Sequence, residues 1–281
     1  MIKNKKICLL IGSIFAIWLI STIIDNKRIQ ITNYDITSKK VKNELIIAQI
    51  SDLHNTSFGK HNKTLVNKIK DIKLDIIAIT GDLIDSSKTN ITVAMNFINQ
   101  AVKIAPIYYV PGNHEAWNQS DYSTLKDKLK KAGVVVLEGE DKEIKVKDNK
   151  ISLLGITDPD YIGEAGISEL DVVSTDLDTL SYDSDNLVIL LSHRPELFSA
   201  YKHRDIDLVL TGHAHGGQFR TSLSGGLLAP DQGLFPKYTS GIYKDKEDKT
   251  QMIVSRGLGN SVIPIRINNN PEVVVVNVRR K

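Results

Sequence analysis

The 281-residue sequence holds a single cysteine, Cys8, so no disulfide can form within the chain. Cysteine count therefore does not place the compartment. It also removes the thiolates of a closed structural zinc site, and Cys8 lies in the most apolar stretch of all. Charge of one sign is scarce too. The 36 Lys and Arg against 33 Asp and Glu leave a formal net of only +3. That small basic excess sits largely at the two ends, "MIKNKK" and "NVRRK", so nothing demands a nucleic-acid partner. No internal repeat and no low-complexity linker follows residue 44. What is present is ordinary globular composition, 41% hydrophobic and 25% charged, long enough for one large domain with ample core.

One stretch lacks charge altogether: "ICLLIGSIFAIWLISTII", residues 7–24. Only Ser13, Ser21 and Thr22 interrupt it, and their hydroxyls can bond back to a helix backbone. A run of about 18 such residues is long enough to span hydrocarbon. Three readings compete: a retained signal anchor, a cleaved signal peptide and a buried core helix. The exit "LISTIID" lacks an A-x-A-like cleavage pattern, and a core helix would show a polar face. Residues 1–28 are therefore expected to be a membrane anchor or signal segment, and residues 29–281 the folded body. Lys3, Lys5 and Lys6 against Lys27 and Arg28 favour an N-terminus in the cytoplasm, with Lys39 and Lys40 opposing. The expectation is a single-pass cell-membrane protein with its body outside the cytoplasm.

After an amphipathic strand, "RIQITNYDI", a pattern repeats. "ELIIAQI" ends at Asp52, "LDIIAIT" at Gly81-Asp82, and "PIYYV" at Gly112-Asn113-His114. "NLVILL" ends at Ser192-His193, and "IDLVLT" at Gly212-His213. Each run is short, continuous and β-branched, which predicts strands buried on both faces. "TLVNKIKDI", "ITVAMNFINQAV" and "SDYSTLKDKLKKAG" carry helical spacing, the last opening with cap candidates and stopping at Gly133. Strands alternating with helices indicate βαβ units and one mixed α/β domain. "KEIKVKDNKISLLGI" predicts a hairpin turned at Asp148-Asn149.

The polar residues all fall beyond strand ends, where open α/β sheets bind ligands. They are Asp52, His54, Asp82, Asn113, His114, His193, His213 and His215. Five of the seven histidines are in that set, leaving only His61 and His203, both expected at the surface. Carboxylate, imidazole and amide oxygen together suit a divalent transition ion. Seven or so ligands are too many for one ion and suit two, roughly 3.5–4 Å apart. Asp52 and His54 are two apart, so an extended segment would send both side chains to one face. In an extended turn, Asn113 and His114 would point apart.

The blocks Asp52-Leu53-His54, Gly81 to Asp85, Gly112 to Glu115, Ser192-His193 and Gly212 to His215 resemble the calcineurin-like metallophosphoesterase superfamily. "GHAHGGQFR" and "SRGLGNS" resemble a membrane-anchored or exported bacterial branch of it. The resemblance implies a two-sheet mixed β-sandwich flanked by helices. It implies a metal-dependent phosphoric ester hydrolase holding two divalent ions, Mn, Zn or Fe. Asp52, His54 and His215 would hold one ion, Asn113, His193 and His213 the other, and Asp82 both. His114 would be the general acid and Asp85 its orienting partner, a carboxylate that fixes the ring tautomer.

The substrate would be a phosphodiester, phosphomonoester or pyrophosphate, and a lipid-linked or nucleotide compound is attractive beside a membrane. The ligand set is shared among these, so it does not choose. Arg256 reads equally as a phosphate clamp and as a structural ion pair. Gly216 reads as a turn or as a point of close backbone approach to substrate, and Gln218 and Arg220 are further candidates for contact with it. Glu115 reads as a loop anchor, and Asp158 and Asp160 as turn acids. A metallo-β-lactamase-like hydrolase would want an H-x-H-x-D-H cluster, which is missing. A non-catalytic scaffold of the same fold is the other alternative, and loss of His114 or of a ligand would mark it.

Overall fold

The computed structural model describes residues 12, 13, 16, 19–163, 166–221, 225–245, 249–260 and 263–281. The expected anchor at 7–24 falls partly outside them. Residues 19–25 are helical, with Leu19, Ile20, Ile23 and Ile24 exposed. Among the described residues no helix is long and apolar enough to cross a membrane.

Two six-stranded sheets face each other. The first runs Gln30–Ser38, Glu272–Arg280, Leu45–Ile50, Ile76–Thr80, Ile107–Val110 and Val135–Val136 across its width. The second runs Gly241–Lys244, Gln251–Val254, Leu208–Thr211, Leu187–Leu191, Asn149–Gly155 and Glu140–Val146. The central strands are parallel within each sheet, so their carboxyl ends share one edge. The apolar runs are continuous because both faces are covered. Ile47, Ile76, Ala78, Leu153, Ile189, Leu208 and Leu210 fill the space between the sheets. Their alternate neighbours turn outward: Ala48, Ile77 and Ile79 pack under the helices of the first sheet. Leu154, Val188, Leu190 and Val209 pack under those of the second. This is the expected helix-flanked sandwich of two mixed sheets.

Helices Lys63–Ile69, Ile91–Ala101 and Gln119–Lys131 stand where the spacing places them, with shifted ends. Asn118, not Ser120 or Asp121, caps the third, its Oδ1 accepting from Asp121 N. Gly133 follows that helix at φ 90, a conformation that costs glycine little. The hairpin turns one residue earlier than expected. Val146 pairs with Asn149, so Lys147-Asp148 form the loop, and Lys147 takes φ 54. Helix Glu169–Thr179, capped by Ser168, was not anticipated.

The N-terminal segment is tied to the body. Arg266 N donates to Asn26 Oδ1 and Asn26 Nδ2 to Arg266 O, both at 2.8 Å. Asn270 Nδ2 donates to Asp25 O, and Ile29 is buried.

Candidate metal centre

The carboxyl edges of the two sheets are stitched together. Gln49 Nε2, from the first sheet, donates to Thr211 O of the second at 2.8 Å. Beyond that edge the chain does not stay extended. Asp52, His54, Asp82, His213 and His215 all have positive φ, between 44 and 62. The expectation that Asp52 and His54 leave an extended segment is corrected: two left-handed turns bring them to the same side. Such conformations cost roughly 1–3 kcal/mol each and persist where surroundings enforce them. The enforcement is visible in Asp52 N→Gly81 O, His54 N→Asp82 O and Leu258 N→Ser51 O, at 3.0–3.1 Å. Asn113 and His114 also differ from expectation. They open a short helix, Asn113–Trp117, so their side chains diverge by helical rotation and not by extension. Gly112 is needed there, since a Cβ would lie 2.3 Å from Asp82 Oδ1.

The seven candidate ligands are all buried and converge. Asp82 Oδ2 lies 3.4 Å from His54 Nε2 and 3.2 Å from His193 Nε2. His215 Nε2 is 3.7 Å from Asp52 Oδ1. Asn113 Oδ1 and His213 Nδ1 stand 3.0 and 3.2 Å from His193 Nε2. Asp52, His54 and His215 present ligand atoms within 4.8 Å of one another, as do Asp82, His193 and His213. Asp52 Oδ2 and both nitrogens of His54 are buried with no hydrogen-bond partner. Buried polar atoms without partners are costly, and a divalent cation would satisfy these. Acidic, imidazole and amide donors without thiols fit such an ion.

Electrostatics follow from burial in company. Burial, with Asp82 adding to it, pushes the Asp52 carboxyl up to about 6. Burial carries His54 down to about 3 and His213 to about 4. Burial alone would lower His193, but Asp82 and Asp52 carry it up to about 10. Asp82 in turn is held well below the usual carboxylate range; burial opposes this, and His193 and His54 outweigh it. In the chain alone, Asp82 and His193 are an ion pair.

His114 lines a cavity of about 160 Å³ with Asp82, Asn113, Trp117, Pro230 and Asp231. The partner expected for it is not the one found. Ser86 N donates to His114 Nδ1 at 3.0 Å, with Ser86 Oγ at 3.1 Å. Asp85 instead accepts from Ser87 N, and its other oxygen lies 3.9 Å from His54 Nδ1. The correction has a simple cause: Asp85 is in a turn that closes on Ser87. Glu115 anchors the loops, accepting from Asp82 N, Ile84 N and Gly112 N.

Three residues expected near substrate are otherwise engaged. Arg256 Nη2 pairs with Glu272 Oε1 at 2.8 Å and reaches Gln30. Gln218 is buried, and its amide donates to Ile263 O and Ile265 O. Gly216, at φ 65, is pressed against Asn269 and Arg256, and its carbonyl accepts from Arg220. His61 and His203 are exposed. Asp158 and Asp160 do more than turn. Asp158 grips the buried Arg194 with both oxygens, at 2.7 and 2.9 Å, and Asp160 accepts from Trp117 Nε1. Arg194 and Asp231 escaped the sequence reading, although Arg194 directly follows His193 in "SHRPE".

Comparison with known proteins agrees with this geometry. The profile of the calcineurin-like phosphoesterases matches residues 45–217. The chain is 29% identical over 240 residues to the uncharacterized metallophosphoesterase YkoQ of Bacillus subtilis, covering 83% of each. A bovine transmembrane protein with metallophosphoesterase domain is 30% identical, over 82% of this chain and 52% of its own. TT1561 of Thermus thermophilus shares the fold at a TM-score of 0.52 and 14% identity, over 77% of this chain and 91% of its own. With the matched segment spanning every donor from Asp52 to His215, the chain belongs to the calcineurin-like phosphoesterases, metal-dependent hydrolases of phosphate esters.

Proposed function

We propose that the protein is a dinuclear phosphodiesterase or pyrophosphatase acting on a lipid-linked substrate at a membrane surface. One observation carries the dinuclear reading: Asp82 Oδ2 lies between His54 Nε2 and His193 Nε2, at 3.4 and 3.2 Å. One carboxylate can thus serve both donor groups. Asp52, His54 and His215 would hold one ion, and Asn113, His193 and His213 the other. Two bound ions would neutralise charge at a phosphoryl oxygen and make water acidic enough to attack at neutral pH.

The protein's own groups do the rest. Asp82 sets the spacing of the two donor groups. The ring of His114, fixed by Ser86, offers a hydrogen-bond donor in the cavity. Trp117, with its indole tied to Asp160, walls that cavity and is 61% exposed.

The membrane reading rests on the uncharged run 7–24 and the exposed Leu19, Ile20, Ile23 and Ile24. Residues 1–28 would anchor the chain and residues 29–281 catalyse, outside the cytoplasm. Leu234 and Phe235, three and four residues after Asp231 in the chain, are exposed apolar side chains. Exposed apolar groups of this size are suited to contact with an apolar partner.

The test is a substrate panel on the metal-free full chain, with Mn²⁺ or Zn²⁺ restored. A lipid-linked diester in vesicles is compared with a soluble diester of the same headgroup. Asp82→Ala should lose both ions. Two ions retained by that variant would end the dinuclear reading, and equal kcat/KM for both substrates would end the lipid reading.

A further inference from the structure

The two ring nitrogens of His213 face different neighbours. Nδ1 lies 3.2 Å from His193 Nε2, inside the donor group around Asp82. Nε2 lies 2.8 Å from Asp231 Oδ2. A neutral imidazole binds a cation only through the nitrogen that carries no hydrogen. An ionised carboxylate accepts and never donates. We propose that Asp231 is a positioning residue: it keeps the hydrogen of His213 on Nε2 and so directs the Nδ1 lone pair at the second ion. This rests on the dinuclear reading above.

Asp231 is itself aimed. Arg194 Nη1 donates to the same Oδ2. Arg194 is fully buried and locked by its fork on Asp158, Nε to Oδ2 and Nη2 to Oδ1. The relay is therefore Asp158, Arg194, Asp231, His213. Its third member comes from outside the family match, which ends at residue 217. Asp231 sits between the short paired strands Leu228–Ala229 and Gly233–Leu234, held at φ 55. A peripheral hairpin thus supplies the orientation of a ligand that the shared fold supplies.

A rival arrangement would have Asp231, Glu196 and His213 Nε2 hold a third cation, since these atoms also cluster. The guanidinium opposes it. Arg194 Nη1 lies 3.4 Å from His213 Nε2 and 3.6 Å from Glu196 Oε1, so a fixed positive charge already serves that space.

The experiment titrates Mn²⁺ into the metal-free full chain, for wild type, Asp231→Ala and Asp231→Asn, with metal-free melting temperatures alongside. Wild type should bind two ions. Asp231→Ala should weaken one of them by roughly 10–100-fold and leave the other in place. Asp231→Asn, whose amide oxygen still accepts from Nε2, should recover most of that loss, and the metal-free melting temperatures should agree. Unchanged affinities in Asp231→Ala would overturn the proposal. So would equal losses in both variants with a lowered metal-free melting temperature, which would mark a structural role. Three ions in wild type and two in Asp231→Ala would make Asp231 a ligand and overturn it as well. A wild type that binds one ion defeats the dinuclear reading instead, and the effect of Asp231→Ala on that ion then decides the positioning role.

Discussion

The backbone N–H of Ser86 points at Nδ1 of His114 across 3.0 Å. That contact requires a lone pair on Nδ1, so the hydrogen of the ring sits on Nε2. Held this way, the ring presents Nε2–H as a hydrogen-bond donor, and its removal separates an electrostatic donor from the general acid expected of it. His114→Ala should keep its metals and lose about 10²–10³ in kcat, as for one lost donor to a developing oxyanion. Aryl and alkyl leaving groups should suffer alike. A loss concentrated on alkyl leaving groups would restore the general-acid role.

His193 presents both ring nitrogens to acceptors: Nδ1 to Thr80 O at 2.7 Å, and Nε2 to Asn113 Oδ1 and Asp82 Oδ2. Burial would lower its affinity for a proton, but Asp82 and Asp52 raise it to about 10, from 6.5. A raised folded-state value stabilises the metal-free fold fully below about 6.5, and that help fades as pH climbs through about 10. Binding an ion through Nε2 must expel this proton. Mn²⁺ affinity should rise by up to about tenfold per pH unit above neutrality, with roughly one proton released per ion bound there. Calorimetry in two buffers of different ionisation enthalpy reads that proton, and its absence would disprove the coupling.

Glu115 serves three backbone donors with two oxygens. Oε2 accepts from Asp82 N and Gly112 N, and Oε1 from Ile84 N. Burial, then Asp82, pushes the carboxyl up to about 8, and the three N–H groups pull towards the carboxylate. Glu115→Gln leaves one accepting oxygen, so at least one buried N–H meets an amide hydrogen. The cost is about 1–3 kcal/mol for each donor stranded. Urea unfolding of the metal-free chain should show that loss. An unchanged midpoint would mean that the carboxyl already carries a proton.

The clasp between Asn26 and the backbone of Arg266 bears on where the chain can be cut. Truncation before residue 25 keeps both hydrogen bonds, whereas truncation before residue 29 removes them. The shorter chain should be less stable by about 1–3 kcal/mol, at roughly 1 kcal/mol per bond. Equal denaturation midpoints for the two truncations would show that the clasp contributes nothing.

Much of this was legible because the same signal repeats. Apolar runs such as "LVILL" and "LDIIAIT" mark strands covered on both sides, and the first polar residues after them mark the shared edge. That is how Asp52, Asp82, His193 and His213 could be placed together. The turns themselves were not legible. Nothing in "SDLH" distinguishes an extended segment from two left-handed residues, since Asp and His both tolerate that conformation. Ser86 was hidden because it acts through a backbone N–H, which has no residue signature. Asp231 was hidden by distance: "APDQG" has no spacing relation to His213, and only the hairpin brings them together. For Arg256 and Gln218 the sequence left a substrate role and a structural one open, because it does not show which carbonyls and carboxylates a donor will meet first.

The donor residues divide between the two halves of the fold. Asp52, His54, Asp82 and Asn113 follow strands of the first sheet, and His193, His213 and His215 follow strands of the second. An ion held across that division would be a fastener as much as a reagent. Its binding free energy would count towards keeping the sheets closed at that edge, while Ile47, Leu153 and Ile189 hold the interior. The edge that joins the two sheets and the chemical centre are then the same place, and an ion lost there would cost shape along with rate.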